Sequence, residues 1–588
     1  MVMTTEFHFS PRPNRAGEIA WRTWSANAFE EAQSSQRPIL LSISAVWCHW
    51  CHIMDETSYS DPEVISFINE HYIPIRVDND RRPDINARYN MGGWPTTAFL
   101  SSQGVTLTGA TYLPPRDMLR TLQNVKTFYG ENKSQIPDRH NNQQKRPPSS
   151  QNVEATALRP SMITRIVEEI SDSYDDEYGG FGIEPKFPQT DVLELLLLEH
   201  RFTGEQRLYE MLAKTMLAMS RGGMYDHIEG GFFRYSTTRD WSVPHFEKMT
   251  EDHAGFLRVL AGLYKLSNNN DFRATLLSAT SYILATLRDP HTNLFAGSQD
   301  ADEEYFSLPL EQRKERQAPY VDRTSYSNWT ASLAGALCAV GDVLVDDAIS
   351  AHATAALDAL HAGMRDENGL LYHYLEPGGT PQVCGLLTDQ AAYLRALLDA
   401  HEYTGEPRFF ARARIIADAV LKKFSSPDGG FYDHANVADA LGNLTVADRP
   451  LGDNGLLADS FLRLAVMCQD ARYRDAAEKT LLAFARTYGK VGSFAASYIR
   501  ALRRYLCASC TVRLIGTVDA LCDFRDASLN LPDPLRVLHT IEPDDRAALE
   551  RLGYAVKRTP AAFVCAGTTC AAPAYSPEEI RSAYESIV

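Results

Sequence analysis

The sequence predicts a multidomain fold: an N-terminal α/β domain, a toroid of six helical hairpins, (α/α)6, and a small C-terminal α/β appendage. Three observations carry this reading. A short apolar run with β-branched character leads into a C-x-x-C and a helical pattern near the N-terminus, a Gly/aromatic signal recurs six times through the middle, and strand and helix patterns alternate again near the C-terminus. At 588 residues the chain exceeds what a single hydrophobic core serves. The expected boundaries are 1–130 for the first domain, 131–159 for a polar linker, 160–508 for the toroid and 509–588 for the appendage.

In the first domain, Ala26 to Ser34 reads as an amphipathic helix and Ile39 to Ser44 as a strand, and Cys48-His49-Trp50-Cys51 sits where that strand hands over to a helix. Such a place makes a cysteine reactive, because unsatisfied N–H groups and the positive end of the helix dipole favour a thiolate. Cys48 is expected as the exposed nucleophile and Cys51, one turn in, as the resolving thiol. A protonated His49 or His52 beside Cys48 lowers its pKa further. A zinc site on Cys48, His49, Cys51 and His52 competes with this reading, and so does an inert pair; four ligands so close in sequence do not easily make one tetrahedron. Glu63 to Glu70 reads as a helix, Ile73 to Val77 and Thr97 to Leu100 as strands, and Asp117 to Tyr129 as the closing helix. Gly92-Gly93-Trp94-Pro95-Thr96-Thr97 stands just before the last strand, where a cis Trp94-Pro95 bond facing the dithiol fits. That order of elements predicts a thioredoxin-like domain.

Residues 131–159, including NNQQKRPPSSQN, have almost no apolar residue and read as a linker. From Pro160 the pattern turns helical. Gly179-Gly180-Phe181, Gly230-Gly231-Phe232, Asn293-Leu294-Phe295, Gly369-Leu370-Leu371-Tyr372, Gly429-Gly430-Phe431-Tyr432 and Gly492-Ser493-Phe494 punctuate it at a spacing that suits two helices and their loops. Helix starts are expected near Ser161, Thr190, Glu205, Thr250, Asp271, Ser325, Asp346, Thr388, Glu406, Asp453, Asp470 and Ser493, most with capping residues. Long loops alternate with short ones such as Thr203-Gly204-Glu205, which places the long loops and the inner-helix N-termini on one rim.

That rim is the second candidate site. Inner-helix starts bring Asp191, Asp252-His253, Asn328-Trp329, Asp389-Gln390 and Asp453-Asn454, and the loops add Asp226-His227, Arg234, Tyr235, Trp241, His245, Glu247, Asp300 and Asp302. Carboxylates, imidazoles and aromatics around one cavity suit a carbohydrate, whose rings stack on aromatic faces and whose hydroxyls bond to carboxylates. Paired carboxylates also perform acid/base glycoside hydrolysis. The competing reading of each helix-start Asp is a plain N-cap.

The appendage reads strand, helix, strand, helix, strand, helix, with Val512 to Ile515, Pro543 to Leu552, Ala561 to Cys565 and Pro577 to Ile587 as its clearest runs. Cys507-Ala508-Ser509-Cys510 and Cys565-x4-Cys570 raise a four-cysteine zinc site, disfavoured because neither pair encloses a zinc-ribbon turn. No metal and no cofactor are expected.

With 58 basic and 75 acidic residues the net charge is −17, which disfavours nucleic acid or an anionic membrane as partner. No apolar run reaches bilayer length and no secretory signal is evident at the start. Scattered cysteines such as Cys338, Cys384, Cys468 and Cys522 fit a reducing compartment, so a cytoplasmic protein is expected.

Trp21-x-x-Trp24, Trp47-Cys48-His49-Trp50-Cys51-His52, Val77-Asp78, Arg82-Pro83-Asp84, Gly92-Gly93-Trp94-Pro95, Pro185-Lys186-Phe187-Pro188 and His245-Phe246-Glu247-Lys248-Met249 together resemble the spermatogenesis-associated protein 20 family. The resemblance spans nearly the whole chain. It implies a thioredoxin-like domain joined to a toroid similar to six-hairpin glycosidases, and a terminal CxxxxC like Cys565/Cys570. Two departures stand out: Ser42 occupies the place where many thioredoxins bury an acid, and the loop before Gly92-Gly93 is shorter than in the family.

Three functions follow as expectations. The first is thiol redox chemistry with a protein thiol or disulfide partner, using Cys48, Cys51 and Pro95. The second is a sugar epimerase or glycosidase in the toroid, with His245, Glu247, Asp252 and Asp389 near the chemistry. The third is a non-catalytic binding scaffold, to which Ser42 gives weight.

Overall fold

The computed structural model describes residues 7–133, 135–136, 157–435, 440–554 and 558–588. The chain forms two compact units, the first built from the N-terminal residues together with a segment that returns at 440–448. The linker expected over 131–159 lies largely outside the described residues.

The first unit is a four-stranded sheet in the order β2-β1-β3-β4, with β1 Ile39–Ser44, β2 Ile73–Asp78, β3 Thr96–Leu100 and β4 Thr106–Ala110. β1 pairs in parallel with β2 and antiparallel with β3, and β3 is antiparallel to β4. Strand β1 is covered on both faces, which explains why ILLSIS shows no apolar/polar alternation. Ile39, Leu41 and Ile43 face a core with α1 (Ala26–Ser35) and α4 (Pro83–Tyr89). Leu40 faces the opposite core with α2 (His49–Glu56), α3 (Pro62–His71) and α5 (Pro115–Asn132). The returning segment adds Leu444 to the first of these cores, and Asn443 donates its amide to the Tyr89 hydroxyl at 2.6 Å. Sequence patterns miss α4 and β4, which are short, and β4 carries little apolar character.

In the second unit, twelve helices pair as α6 Ser161–Asp172, α7 Thr190–Thr203, α8 Gln206–Arg221, α9 Thr250–Ser267, α10 Asn270–Tyr282, α11 Ser327–Leu344, α12 Asp347–Gly363, α13 Leu387–Thr404, α14 Pro407–Lys423, α15 Leu451–Cys468, α16 Ala471–Phe484 and α17 Ala496–Leu506. Six of them form an inner ring: α7 packs on α9, α9 on α11, α11 on α13, α13 on α15, α15 on α17, and α17 back on α7. The others line the outside, each against its inner partner, and α6, first in sequence, covers the last inner helix α17. This closure is the (α/α)6 toroid. Inner helices such as α11 are apolar on nearly every face because both neighbours and an outer helix cover them.

The appendage carries β5 Cys510–Ile515, α18 Cys522–Leu529, β6 Val537–Ile541, α19 Arg546–Leu552, β7 Ala561–Ala566, β8 Thr569–Cys570 and α20 Pro577–Glu585. Its sheet runs β6-β5-β7-β8, with β6 parallel to β5 and the other pairs antiparallel. Order and sense repeat those of the N-terminal sheet. A cis Thr559-Pro560 bond immediately precedes β7, as cis Trp94-Pro95 precedes β3. At the turn from β5 to helix this second copy reads Asp519-Ala520-Leu521-Cys522, so it has one thiol where the first has two. The four-cysteine zinc arrangement does not form, because Cys565 is bonded to Cys570 across the β7–β8 hairpin and Cys510 is buried within β5.

Candidate functional sites

Cys48 is the N-cap of α2, and the Cys51 amide donates to its Sγ at 3.2 Å. The two are joined as a disulfide with Cα atoms 5.2 Å apart. On reduction the same amide and the helix N-terminus remain aimed at Cys48, which is how a helix start favours the thiolate. The Trp94-Pro95 bond is cis, and the Trp94 ring meets Trp47 edge-on at 5.8 Å, tying the proline loop to the residue before the dithiol. Trp47 is held in turn by its indole N–H, which donates to Asp80 at 2.6 Å.

Two expectations are corrected. Cys48 is not an exposed nucleophile in this oxidised form: it keeps 4% of its surface, between the buried Trp47 and the helix, while Trp50 at 48% is the part of the motif that faces solvent. His52 does not supply a positive charge, because burial, with His8 nearby, pushes its pKa down to about 4 and leaves it neutral at physiological pH.

Ser42 is buried in β1 as expected, and the acid of this domain sits elsewhere. Asp55, two turns along α2 from Cys48, forms a two-pronged ion pair with Arg76 of β2 at 2.8 and 2.9 Å, both side chains almost fully enclosed. A carboxylate fixed this way is a structural anion. Sequence reasoning missed Asp55, although its seven-residue spacing from Cys48 puts it on the same helix face.

On the toroid, the helix-start residues separate into two roles. Asp252, Asp389 and Asp453 are each the third residue of α9, α13 and α15, and in each case the next residue braces a Gly/aromatic loop. His253 Nε2 accepts the Phe232 amide at 2.9 Å, while Nδ1 donates to the Met249 carbonyl. Gln390 bonds both the amide and the carbonyl of Leu371, and Asn454 does the same for Phe431. Polar residues that read as binding candidates in pairs are thus one acid and one brace.

The acids are held away from full ionisation. Burial raises Asp453 to about 7, helped by Asp389, and Glu251, although much of its side chain stays exposed, is raised to about 7 by its crowded surroundings, helped by Asp252 and Asp191. Carboxylates of α7, α9, α13 and α15 therefore sense one another across the ring. Burial also takes Asp252 to about 6 against the opposing Arg234, with Glu247 adding to the rise, and Asp300 to about 7. Asp389 is raised by burial too, in spite of His373, whose Nδ1 lies 2.9 Å away.

Next to Asp252, the rings of Phe187, Tyr235 and His245 stack in a column, at 4.7 and 4.6 Å between centroids. His245 Nδ1 is 3.3 Å from Glu247 Oε1. Glu247 Oε2 and Asp252 Oδ2 are both buried without a hydrogen-bond partner among the described residues. An imidazole, a nearly enclosed carboxylate and two carboxyls near neutrality form a set able to hold and move a proton.

Three sequence candidates lie outside this set. Trp241 offers no stacking face: it is fully buried, packed against Gly180, and its indole donates to the Tyr178 carbonyl. Asp226 is enclosed between Lys248 and Arg313, each at 2.8 Å. Asp302 caps a short helix by accepting the Tyr305 amide. Residues missed at the rim are Glu251, Phe187 and His373, of which only Phe187 lay in a quoted motif.

A family described as "Protein of unknown function, DUF255", with the model name Thioredox_DsbH, matches residues 12–146. Spermatogenesis-associated protein 20 of Homo sapiens is 25% identical, over 96% of this chain and 89% of its own length. The thiol:disulfide interchange protein DsbD of Campylobacter jejuni (strain RM1221) is 26% identical over 16% of this chain and 17% of its own. Among solved structures, cellobiose 2-epimerase from Spirochaeta thermophila DSM 6192 is 15% identical over 60% of this chain and 98% of that one, with a TM-score of 0.48. Among the described residues no helix is long and apolar enough to cross a membrane.

Proposed function

For a chain similar to spermatogenesis-associated protein 20 over nearly its whole length, we propose that the thioredoxin-like domain exchanges disulfides with a protein partner through Cys48 and Cys51. The observation that carries this is the Cys51 amide at 3.2 Å from Cys48 Sγ at the start of α2. A partner thiolate attacks Cys48 of the disulfide and forms a mixed disulfide, and Cys51 leaves as a thiolate. The partner's second thiolate then attacks its own sulfur in that bond and Cys48 leaves, so two electrons pass from the partner dithiol to Cys48/Cys51. The reverse sequence reduces a partner. Because Trp47 and Trp94 crowd Cys48, the partner backbone is expected to approach past the exposed Trp50 beside Tyr112.

Trapping tests it. Cys51→Ser retains the attacking sulfur and removes the one that resolves, so its Cys48 thiolate attacks a model disulfide-containing peptide, one peptide sulfur leaves as a thiolate and the mixed disulfide accumulates, whereas Cys48→Ser accumulates none. Equal trapping by the two variants, or by neither, rules the mechanism out.

A second reading concerns the toroid, where a small carbohydrate fits the rim and His245, Glu247 and Asp252 handle its protons. The buried, partnerless Oε2 of Glu247 supports it, since a buried acceptor lacking a partner suits a substrate hydroxyl. Thermal shift against a panel of mono- and disaccharides tests this reading; a shift lost in Glu247→Gln is expected, and no shift with any sugar removes it.

A further inference from the structure

The toroid also holds a cavity of about 250 Å³ that runs from the rim half, at Ser497 and Glu194, to the opposite end, at Arg201, Lys265 and Tyr403. Helices α9, α13 and α15 are 18 residues each, about 27 Å long. Their rim acids are in the first turn, whereas Lys265 and Tyr403 of the cavity wall are in the last turns of α9 and α13. The floor is the Pro534-Leu535-Arg536 loop of the appendage, fixed there by Arg504, which donates to the Leu535 carbonyl at 2.7 Å.

The charge of this cavity runs against that of the whole chain. Seven Lys and Arg residues line it and only two carboxylates, Glu194 and Asp459. Glu194 is already shared by Arg395 and Arg500, and Asp459 pairs with Arg504. Arg258 and Lys265 are paired with Asp399 and Asp342. Arg201 and Arg536 have no ion pair and no side-chain hydrogen bond among the described residues, and Arg536 Nε is buried without a partner. Burial and the nearby Arg536 lower the pKa of Arg201, against Asp533, and burial with Arg536 and Arg201 lowers that of Lys265, against its partner Asp342. Helix C-termini attract cations, but that effect is too small to offset two unpaired guanidinium groups gathered in a low-dielectric space.

We propose that this cavity is a binding site for a small phosphomonoester, with the unpaired Arg201 and Arg536 around its phosphate. A dianionic phosphate answers the two unpaired guanidinium groups with charge and with three acceptor oxygens, whereas a single carboxylate leaves one of them uncompensated. The volume is near the lower end of small-molecule sites, roughly 300–1,000 Å³, so the ester is small. Ser497, Glu194 and Asp459 line the remaining wall and suit the hydroxyls of a sugar or polyol.

Calorimetric titration of the full chain with inorganic phosphate, glucose 6-phosphate, glucose and citrate tests this at fixed ionic strength. One equivalent of glucose 6-phosphate is expected to bind, with glucose giving no heat at this site. Arg201→Gln and Arg536→Gln each weaken binding tenfold or more, and Glu247→Gln on the rim leaves it unchanged. Without ligand, both arginine variants melt no lower than the parent chain, because each removes a repulsion. Absence of heat with both phosphate compounds, unchanged affinity in both variants, stronger binding of citrate, or unfolding of both variants overturns the proposal.

Discussion

The Lys248 ammonium lies 2.8 Å from Asp226 Oδ2 and 2.8 Å from the Gly230 carbonyl, fully enclosed, and Lys186 stands in the same relation to Asp175 and Gly179. The lysines of the Pro185-Lys186-Phe187-Pro188 and His245-Phe246-Glu247-Lys248-Met249 motifs are therefore clamps on two successive Gly-Gly-Phe loops. Only His245 and Glu247 of the second motif belong to the rim.

Removing one clamp leaves a buried carboxylate short of a partner. Lys248→Met is expected to cost about 3 kcal/mol, the low end for breaking a buried pair, because Arg313 stays on Asp226. Lys248→Met/Asp226→Asn recovers part of that loss. Urea unfolding of the full chain checks both, and a double variant less stable than the single one contradicts the clamp.

Braces on the other loops make a second case. Asn454 satisfies the amide and carbonyl of Phe431, so Asn454→Ala strands both of those backbone groups, while the Pro450 carbonyl loses the side-chain bond but keeps the Asn454 backbone amide. A loss of about 2–3 kcal/mol follows. Asn454→Asp is expected to be nearly as harmful, since a carboxylate accepts the Phe431 amide but cannot donate to either carbonyl. Unfolding midpoints of the two variants measure this directly.

The braces show why the toroid was largely legible and its site only partly so. Six Gly/aromatic signals and cap-type residues place twelve helix starts within a few residues, because each repeat has to turn the chain in the same way. Chemistry is less legible, since Asp252 and His253 look alike as polar residues at a helix start. Only the fold tells that one keeps a partnerless oxygen and the other holds up Phe232. Trp241 misleads for a similar reason: a Trp in a rim loop reads as a platform until Gly180 is found against its ring. In the first domain the dithiol could be read directly, whereas the Asp80 that steadies Trp47 lies 33 residues away and had no local signal.

Rim acids give the molecule a pH signature. The folded pKa of Asp252, about 6, is above its ordinary value of 3.8, so its contribution is fully present below about pH 4 and is lost as pH rises through 6. Asp252→Asn removes that loss. The variant is expected to match the parent chain near pH 4 and to exceed it by about 1–2 kcal/mol at pH 7.5, after allowing for partial solvent screening. Melting temperatures across pH 4–8 check it, and a variant less stable at pH 7.5 argues that Asp252 is ionised and paired.

The last prediction separates two sources of thiol activation. In the reduced chain, Cys48 has the α2 N-terminus and the Cys51 amide on one side and His52 further along the helix. Burial keeps His52 neutral down to about pH 4, so it contributes no charge at neutral pH. Helix and amide then carry the activation, and Cys48 is expected to titrate at about 7 or below, against about 8.5 for a free thiol. His52→Gln should leave that titration almost unmoved, while at acidic pH it removes a group whose depressed pKa costs stability as pH falls from 6.5 towards 4. Thiolate absorbance of the Cys51→Ser chain, with and without His52→Gln, reads the first effect. A Cys48 pKa that climbs by a unit or more on losing His52 assigns the activation to an imidazolium instead of the helix start.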